Sequence, residues 1–382
     1  MPSNNMLDSE KISYWEQKTF FKNIDYLIIG AGIVGYSTAL HLKESHPEAK
    51  IVIIERGFLP SGASSKNAGF ACFGSATELF SDLQTSPEDE VWKTVSLRWK
   101  GLQYLRKIIG DSQLKLEING SWDLITSKEE NLFELVKEQL PYYNKKIKAI
   151  TGEAETYTID SNISSKFGFE HVKTSIFNRL EGQIDTASMN HAFYKKVIDK
   201  NIHVLFGIEA KTLNNNTITS SQGEISADKI AICTNGFGAS LIQEDVKPAR
   251  AQVLITRPIP NLKIKGTFHY NEGYYYFRNI DDRILFGGGR NLALEEETTT
   301  NIANTDLILE SLKSILNEVI LPKTDYTIDH NWAGIMGVGK SKQPIIKQLD
   351  ANTFCGVRLG GMGVAIGTLV GKELANLIRS VQ

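Results

Sequence analysis

Residues 26–42, YLIIGAGIVGYSTALHL, constrain this chain more than any other stretch. Tyr26 to Ile29 are a short apolar run closed by Gly30, which suits a parallel strand buried on both faces. Gly30, Gly32 and Gly35 then spell G-x-G-x-x-G. The first glycine permits a tight turn, the second lets a pyrophosphate approach the backbone, and the third lets the next helix pack on the strand. The helix predicted from about residue 33 to 43 starts at Ile33 and Val34, whose N–H groups face the phosphates, where the dipole favours negative charge. A second apolar run, KIVIIER, ends in Glu55, 20 residues after Gly35, where a carboxylate can accept hydrogen bonds from an adenosine ribose. Glu55 argues against a 2′-phosphate, although Arg56 stands beside it. The pattern predicts a dinucleotide site for NAD or FAD.

The remaining composition narrows the class. With 382 residues, 41% hydrophobic and 23% charged, the chain is long enough for two domains or one large discontinuous one. A net charge of −2 gives no basic footprint for nucleic acid. No run is long and apolar enough to span a membrane, and the polar amino terminus does not read as a secretory signal. Cys72, Cys233 and Cys355 are scattered, which predicts reduced thiols in a cytoplasmic protein, and the seven histidines show no metal-ligand spacing.

Along the chain, helices are predicted at 91–109, with Val95, Trp99, Leu102, Leu105 and Ile109 on one face, and at 128–139, 186–200 and 305–320. Residues 202–213 and 227–236 read as strands, the first carrying Ala210 towards the cofactor. Between 251 and 290, AQVLITRPIP, EGYYYFRN and RILFGGGR have antiparallel texture. The tail returns to strand, glycine turn and helix. The fold predicted is α/β plus mixed: a discontinuous Rossmann-like nucleotide domain (1–80, 175–245 and 325–382) and a substrate domain (81–174 and 246–324) on a mainly antiparallel sheet with helices.

Three further stretches bear on the cofactor. In SGASSKNAGFACFG, residues 61–74, Gly62, Ala63, Ser64, Ser65, Asn67, Ala68 and Gly69 are small or polar enough to lie along a ligand, and the apolar residues that follow argue against a loose linker. In ICTNG, residues 232–236, Thr234, Asn235 and Gly236 end a strand that can pass under the adenosine side, or are an ordinary strand end. In RLGGMGVAIGTLVG, residues 358–371, Gly360, Gly361, Met362, Gly363 and Val364 open an apolar helix whose free N–H groups can face the negative charge of a reduced flavin.

At these residues the chain resembles the D-amino-acid oxidase-like FAD oxidoreductases. It is similar to their glycine oxidase and γ-glutamylputrescine oxidase branch, from SYWEQ through the glycine turn, GASSKNAGF, EGQID, TNG, YYYFRNIDDRILFGGGR and WAG to the last helix. The resemblance implies extended FAD, with Gly30, Gly32 and Gly35 at the pyrophosphate and Glu55 at the ribose. Ser64 to Gly69 would lie near the isoalloxazine, and Gly361 to Val364 at its pyrimidine edge. It implies oxidation of the C–N bond of a small amine or amino acid, by hydride transfer to flavin N5 and hydrolysis of the imine. No catalytic triad is needed, and Tyr274 and Tyr276 would wall the cavity.

Departures from the family pattern matter. Met336 stands near the place where glycine-oxidase-like members carry a carboxylate-clamping arginine, which leaves Arg278, Arg290, Lys340 and Arg358 as candidate anchors. No cysteine lies between Cys233 and Cys355, so the flavin is expected to be non-covalent. Leu285 takes the position of an oxygen-activating lysine, which leaves oxygen or a quinone or other carrier as the electron acceptor. The competing readings are an NAD-dependent dehydrogenase on the same amino-terminal turn, and a non-catalytic FAD-binding protein.

Overall fold

The computed structural model describes residues 12–381. Two sheets organise them. The first has six strands, in the order Ile345–Gln348, Thr353–Val357, Lys229–Ile232, Tyr26–Ile29, Ile51–Glu55 and His203–Phe206. All are parallel except the edge strand Ile345–Gln348. Tyr26–Ile29 is central and buried, as its unbroken apolar run requires. The carboxyl ends of the parallel strands lead into the Gly30 turn, Glu55 and Cys233, so one rim carries all the loops that a cofactor would meet.

The second sheet has eight strands, in the order Ile328–Val338, Lys247–Thr256, Arg283–Gly288, Tyr275–Ile280, Thr267–Tyr270, Ser121–Thr126, Val172–Asn178 and Tyr157–Asp160. Only the pairing of Thr267–Tyr270 with Ser121–Thr126 is parallel. One face packs Trp122, Phe268, Phe277 and Phe286 against the helix Asp306–Ile315 and the π-turn Leu316–Ile320.

Several elements differ from expectation. The strands Val172–Asn178 and Ile328–Val338 belong to the second sheet. Residue 175 lies inside the first of these strands, and Ile328–Val338 pairs with Lys247–Thr256. The helix expected at 128–139 runs as Glu130–Thr151, straight through Pro141. Pro141 lies on the exposed face, while Val136, Leu140, Tyr143 and Ile147 continue the buried stripe that holds the helix down. The single strand read over 202–213 is two, His203–Phe206 and Ala210–Asn214, in different sheets. Gly207, at φ +76°, makes the break.

Two helices fix the site. Ile33–Ser45 and Gly363–Ser380 lie side by side. Ser37 donates its hydroxyl to Thr368 O at 2.6 Å, and Thr38 donates to Gly371 O at 3.2 Å. A Cβ on Gly371 would stand 2.5 Å from Ser37 Cβ, so glycine is what permits the close approach.

Candidate active site

The two helix amino ends open on one cavity of about 840 Å³, within the size range of cofactor and ligand pockets. Gly30, at φ +107°, turns the chain out of the first strand, and a Cβ there would meet Cys233 O at 2.9 Å. A Cβ on Gly35 would come within 2.0 Å of Gly30 O, so this third glycine serves helix–strand packing and does not line the cavity. Gly32, Ile33 and Val34 do line it. The helix's first backbone bond runs from Tyr36 N–H to Gly32 O, and the Ile33 N–H is held by Ser64 Oγ at 3.0 Å.

Glu55 is buried at the rim. Its Oε2 accepts from Ala31 N–H at 3.1 Å, and its Oε1 accepts from Gly57 N–H at 3.0 Å and the Ser61 hydroxyl at 2.8 Å. The carboxylate thus clamps the glycine turn to the next loop and leaves acceptor capacity on Oε2. Arg56 lines the same end, its guanidinium 3.6 Å from the centre of the Phe237 ring. Ala210 lies there too, beside Ile208 and Glu209.

The loop after Glu55 folds into the short helix Ala63–Lys66. Gly62, Ala63, Ser64, Asn67, Ala68 and Gly69 line the cavity. Ser65 does not, since its hydroxyl donates to Pro60 O. Asn67 ties the loop down by donating to Ala63 O and Ser64 O and accepting from Gly69 N–H at 2.8 Å. Trp332 Nε1 donates to Lys66 O at 3.0 Å, fastening the loop to the second sheet.

At the start of the terminal helix, Gly360 and Gly361 take positive φ, +56° and +81°, and Gly361, Met362, Gly363 and Val364 line the cavity. The helix Gly363–Ser380 has no side-chain cap, and its first backbone bond is Ile366 N–H to Met362 O, so the preceding amides stay outside the ladder. Thr234, Asn235 and Gly236 line the cavity between the two turns. Asn235 Oδ1 accepts the Leu359 N–H at 3.2 Å, and a Cβ on Gly236 would collide with Met336 O at 2.2 Å. The ICTNG segment therefore locks the terminal turn and the strand Ile328–Val338 together.

Of the substrate-side candidates, Tyr274, Tyr276, Arg290 and Met336 line the cavity. Tyr275 turns to the opposite face, its hydroxyl 3.0 Å from Ser311 Oγ. Burial pushes the Tyr276 phenol up to about 12. Arg290 presents a guanidinium whose Nε is buried without a partner, and burial lowers its pKa against the pull of Glu297. Arg278 and Arg358 do not line the cavity. Arg278 is buried beneath the Gly69 turn, where burial pushes its guanidinium down to about 10. Arg358 is engaged by Asp245 at 2.8 Å and donates to Gln343 O. Lys340 also lies outside the lining, its N–H donating to Asp245.

Sequence reasoning missed His269, Phe70 and Cys72, which line the cavity, and Lys342, which lines it too and bridges Glu78 and Asp82. His269 comes opposite Tyr276 only through the register of two strands, which no local pattern reveals. Among the described residues one His/Cys/carboxylate cluster is close enough to consider for a metal: Cys72, Glu181 and His269, whose ligand atoms lie within 4.8 Å of one another.

The cavity thus has two glycine turns, each leading into a helix amino end, with the two helices packed side by side. Open space lies where Gly62 and Gly360 would carry a Cβ, and an aromatic wall stands on the second sheet. That donor set fits a long dinucleotide with an anionic middle and a flat ring at one end. This is the architecture of a flavoenzyme with a separate substrate sheet. The chain belongs to the FAD dependent oxidoreductase (DAO) family, whose model matches residues 25–377. It is similar to gamma-glutamylputrescine oxidoreductase of Escherichia coli, 20% identical over 93% of this chain and 83% of that protein. It is also similar to D-amino acid dehydrogenase of Vibrio atlanticus, 23% identical over 93% of this chain and 96% of that protein. Glycine oxidase from Geobacillus kaustophilus has the same fold, with a TM-score of 0.73 at 16% identity, over 94% of this chain and 95% of that one. The protein is an FAD-dependent amine or amino-acid oxidoreductase. No described helix is long and apolar enough to cross a membrane.

Proposed function

We propose that the protein oxidises the C–N bond of a small amine or amino acid that carries a carboxylate, giving an imine that water hydrolyses. When bound, FAD supplies the two-electron acceptor, taking hydride at N5 from the carbon next to the amine. The observation that carries the reading is Arg290: a half-buried guanidinium, its Nε unpartnered, that lines the cavity beside Tyr274 and Tyr276. A guanidinium is the side chain that pairs best with a carboxylate. Arg278, Arg358 and Lys340 are placed elsewhere, which supports Arg290 as the anchor.

Gly32, Ile33 and Val34 hold the pyrophosphate in this reading, Glu55 and Arg56 hold the adenosine side, and residues 62–69 with Gly361 to Val364 enclose the isoalloxazine. The nucleotide domain is built on the six-stranded sheet and the substrate domain on the eight-stranded one. FAD is held without a covalent bond, so acid precipitation should release all the yellow colour into the supernatant. The three cysteines are unpaired and buried, which supports a cytoplasmic setting. Leu285 does not line the cavity, so it carries no preference between oxygen and a quinone or other carrier as acceptor.

The test is anaerobic mixing of the FAD-loaded protein with glycine, sarcosine, D-amino acids, γ-glutamyl-amines and simple amines lacking a carboxylate. Bleaching of the flavin band by a carboxylate-bearing amine is the expected result. Bleaching only by carboxylate-free amines removes Arg290 from its role, and bleaching by none removes the reading.

A further inference from the structure

A buried polar cluster behind the aromatic wall is left without a role by the reading above. His269 lies on Thr267–Tyr270, opposite Tyr276, and its ring meets Phe70 edge-on with centroids 5.6 Å apart. His269, Tyr276 and Phe70 all line the cavity. His269 Nε2 is sealed from solvent and has no hydrogen-bond partner. Glu181 is fully buried. Its Oε1 accepts from Phe73 N–H at 2.7 Å and Gly74 N–H at 2.8 Å, while its Oε2 is also sealed and unpartnered. A ligand atom of Glu181 lies within 4.8 Å of one on His269. Asp123, on the strand paired with Thr267–Tyr270, stands opposite His269 and accepts from Thr77 N–H at 3.1 Å.

Two orphaned buried atoms in one cluster ask for a proton or a ligand. Amine oxidation supplies the proton. Amines bind from neutral water mainly as ammonium ions, and hydride can leave only from the carbon beside a neutral nitrogen with a free electron pair. We propose that His269, backed by Glu181 and Asp123, accepts the ammonium proton of the bound substrate. The proposal rests on the amine-oxidising reading. The substrate N–H bond breaks and its electron pair stays on nitrogen. The proton passes to the neutral imidazole, and the carboxylates balance the resulting positive charge.

The surroundings suit this exchange. The groups facing His269 are Glu181 from the turn before Gly182–Gln183, Asp123 from Ser121–Thr126, Cys72 from the segment after Phe70–Ala71, and Tyr276 from Tyr275–Ile280. Arg278 lies two residues beyond Tyr276, and Glu272 lines the cavity nearby. Burial raises the Glu181 and Asp123 carboxyls, and the nearby His269 works against that rise in both. Burial also keeps the Cys72 thiol protonated, which leaves His269 as the cavity-lining base of the cluster.

The experiment has two arms on the FAD-loaded protein. In the first, ¹⁵N-histidine-labelled protein is titrated by NMR, with His269→Gln identifying the signal. His269 should titrate, and Glu181→Gln, whose carboxamide oxygen still accepts from Phe73 and Gly74, should lower its midpoint by roughly one pH unit. A His269 that does not titrate, or ignores Glu181→Gln, overturns the proposal. In the second arm, an amine that bleaches the flavin is followed anaerobically against pH. Wild type should show a limb rising with pH, and His269→Gln should lose it and slow bleaching about 100-fold or more, the usual worth of a positioned base. An unchanged limb overturns the proposal. If no amine bleaches the flavin, the oxidase reading fails and the first arm still decides whether His269 and Glu181 share a proton. One equivalent of zinc that co-purifies and is lost in Cys72→Ser would overturn it as well, making the cluster a metal site.

Discussion

The Ser37 hydroxyl donates to the carbonyl of Thr368 at 2.6 Å, joining two helices 331 residues apart in the chain. Each helix begins at a glycine turn, and the bond sets the distance between the two amino ends that open on the cavity. Replacing Gly371 by valine would thrust a side chain against Ser37 Cβ, 2.5 Å from the new Cβ, and Val34 O, at 2.6 Å. Forced overpacking of this kind costs about 1–3 kcal/mol. We expect Gly371→Val to lower the melting temperature and to reduce the flavin content of the purified protein, read by absorbance. A variant with full flavin and wild-type stability would show that the contact does not set the turns.

Gly32→Val acts closer to the ligand. A Cβ at Gly32 stands 2.8 Å from Ser64 Oγ, in the gap between the helix amino end and the loop. The protein should purify colourless, with an unchanged circular dichroism spectrum. A yellow variant would place the pyrophosphate elsewhere.

Glu55→Ala removes the acceptor for Ala31 N–H, Gly57 N–H and the Ser61 hydroxyl together. Leaving buried donors unmade costs about 1–3 kcal/mol. FAD affinity, measured by titration of the apoprotein, should fall roughly 10-fold or more on that cost. Glu55→Gln, which keeps an acceptor but lacks the charge, should lie between. Equal affinity in all three proteins would remove Glu55 from the cofactor's surroundings.

Arg290→Gln should raise the KM for a carboxylate-bearing amine roughly 100-fold, in the range for a charge-assisted pair of 2–3 kcal/mol, with a smaller change in kcat. A carboxylate-free amine should be oxidised with its KM unchanged. A KM unaffected for both substrates would return the anchor to another residue.

Glu78 predicts an acid dependence of stability. Burial pushes its carboxyl up, but Arg98 at 3.2 Å and Lys342 at 2.8 Å outweigh it and hold the pKa below the ordinary carboxylate range. A lowered folded-state pKa contributes stability that is fully present above the unfolded value near 4.5 and is lost as pH falls below it. Lys342→Gln should therefore lower stability above about pH 4.5 by up to about 1 kcal/mol, the range for a half-exposed pair, and move the acid unfolding midpoint slightly upward, the difference fading in stronger acid where Glu78 is protonated. An unmoved midpoint would show that Arg98 alone carries the effect.

Much of the nucleotide side was legible because its signals are local. An apolar strand, three glycines at fixed spacing and an acid at the end of the next strand are dictated by short-range geometry. The helix expected at 128–139 runs on through Pro141, a breaker by propensity, because tertiary burial of Val136, Leu140, Tyr143 and Ile147 overrides it. Sheet membership is likewise set at long range. The strand Ile328–Val338 joins the second sheet by pairing with Lys247–Thr256, some eighty residues earlier in the chain, and nothing within its own sequence names that partner.

The substrate side shows the limit most clearly. Arg278, Arg290 and Arg358 look alike as letters in a glycine- and aromatic-rich context. Burial beneath Gly69 takes Arg278 out of the cavity lining, and Asp245, 113 residues away, engages Arg358. By itself the sequence determined the turn, the acid, the terminal helix and the family pattern, because each is written in neighbouring residues. Only the tertiary structure decided that both turns open on one cavity, that Arg290 faces into it, and that His269 stands with Glu181 behind Tyr276. Those relations depend on strand register and helix packing across hundreds of residues, and they form only when the buried faces of the two sheets and their helices are satisfied together.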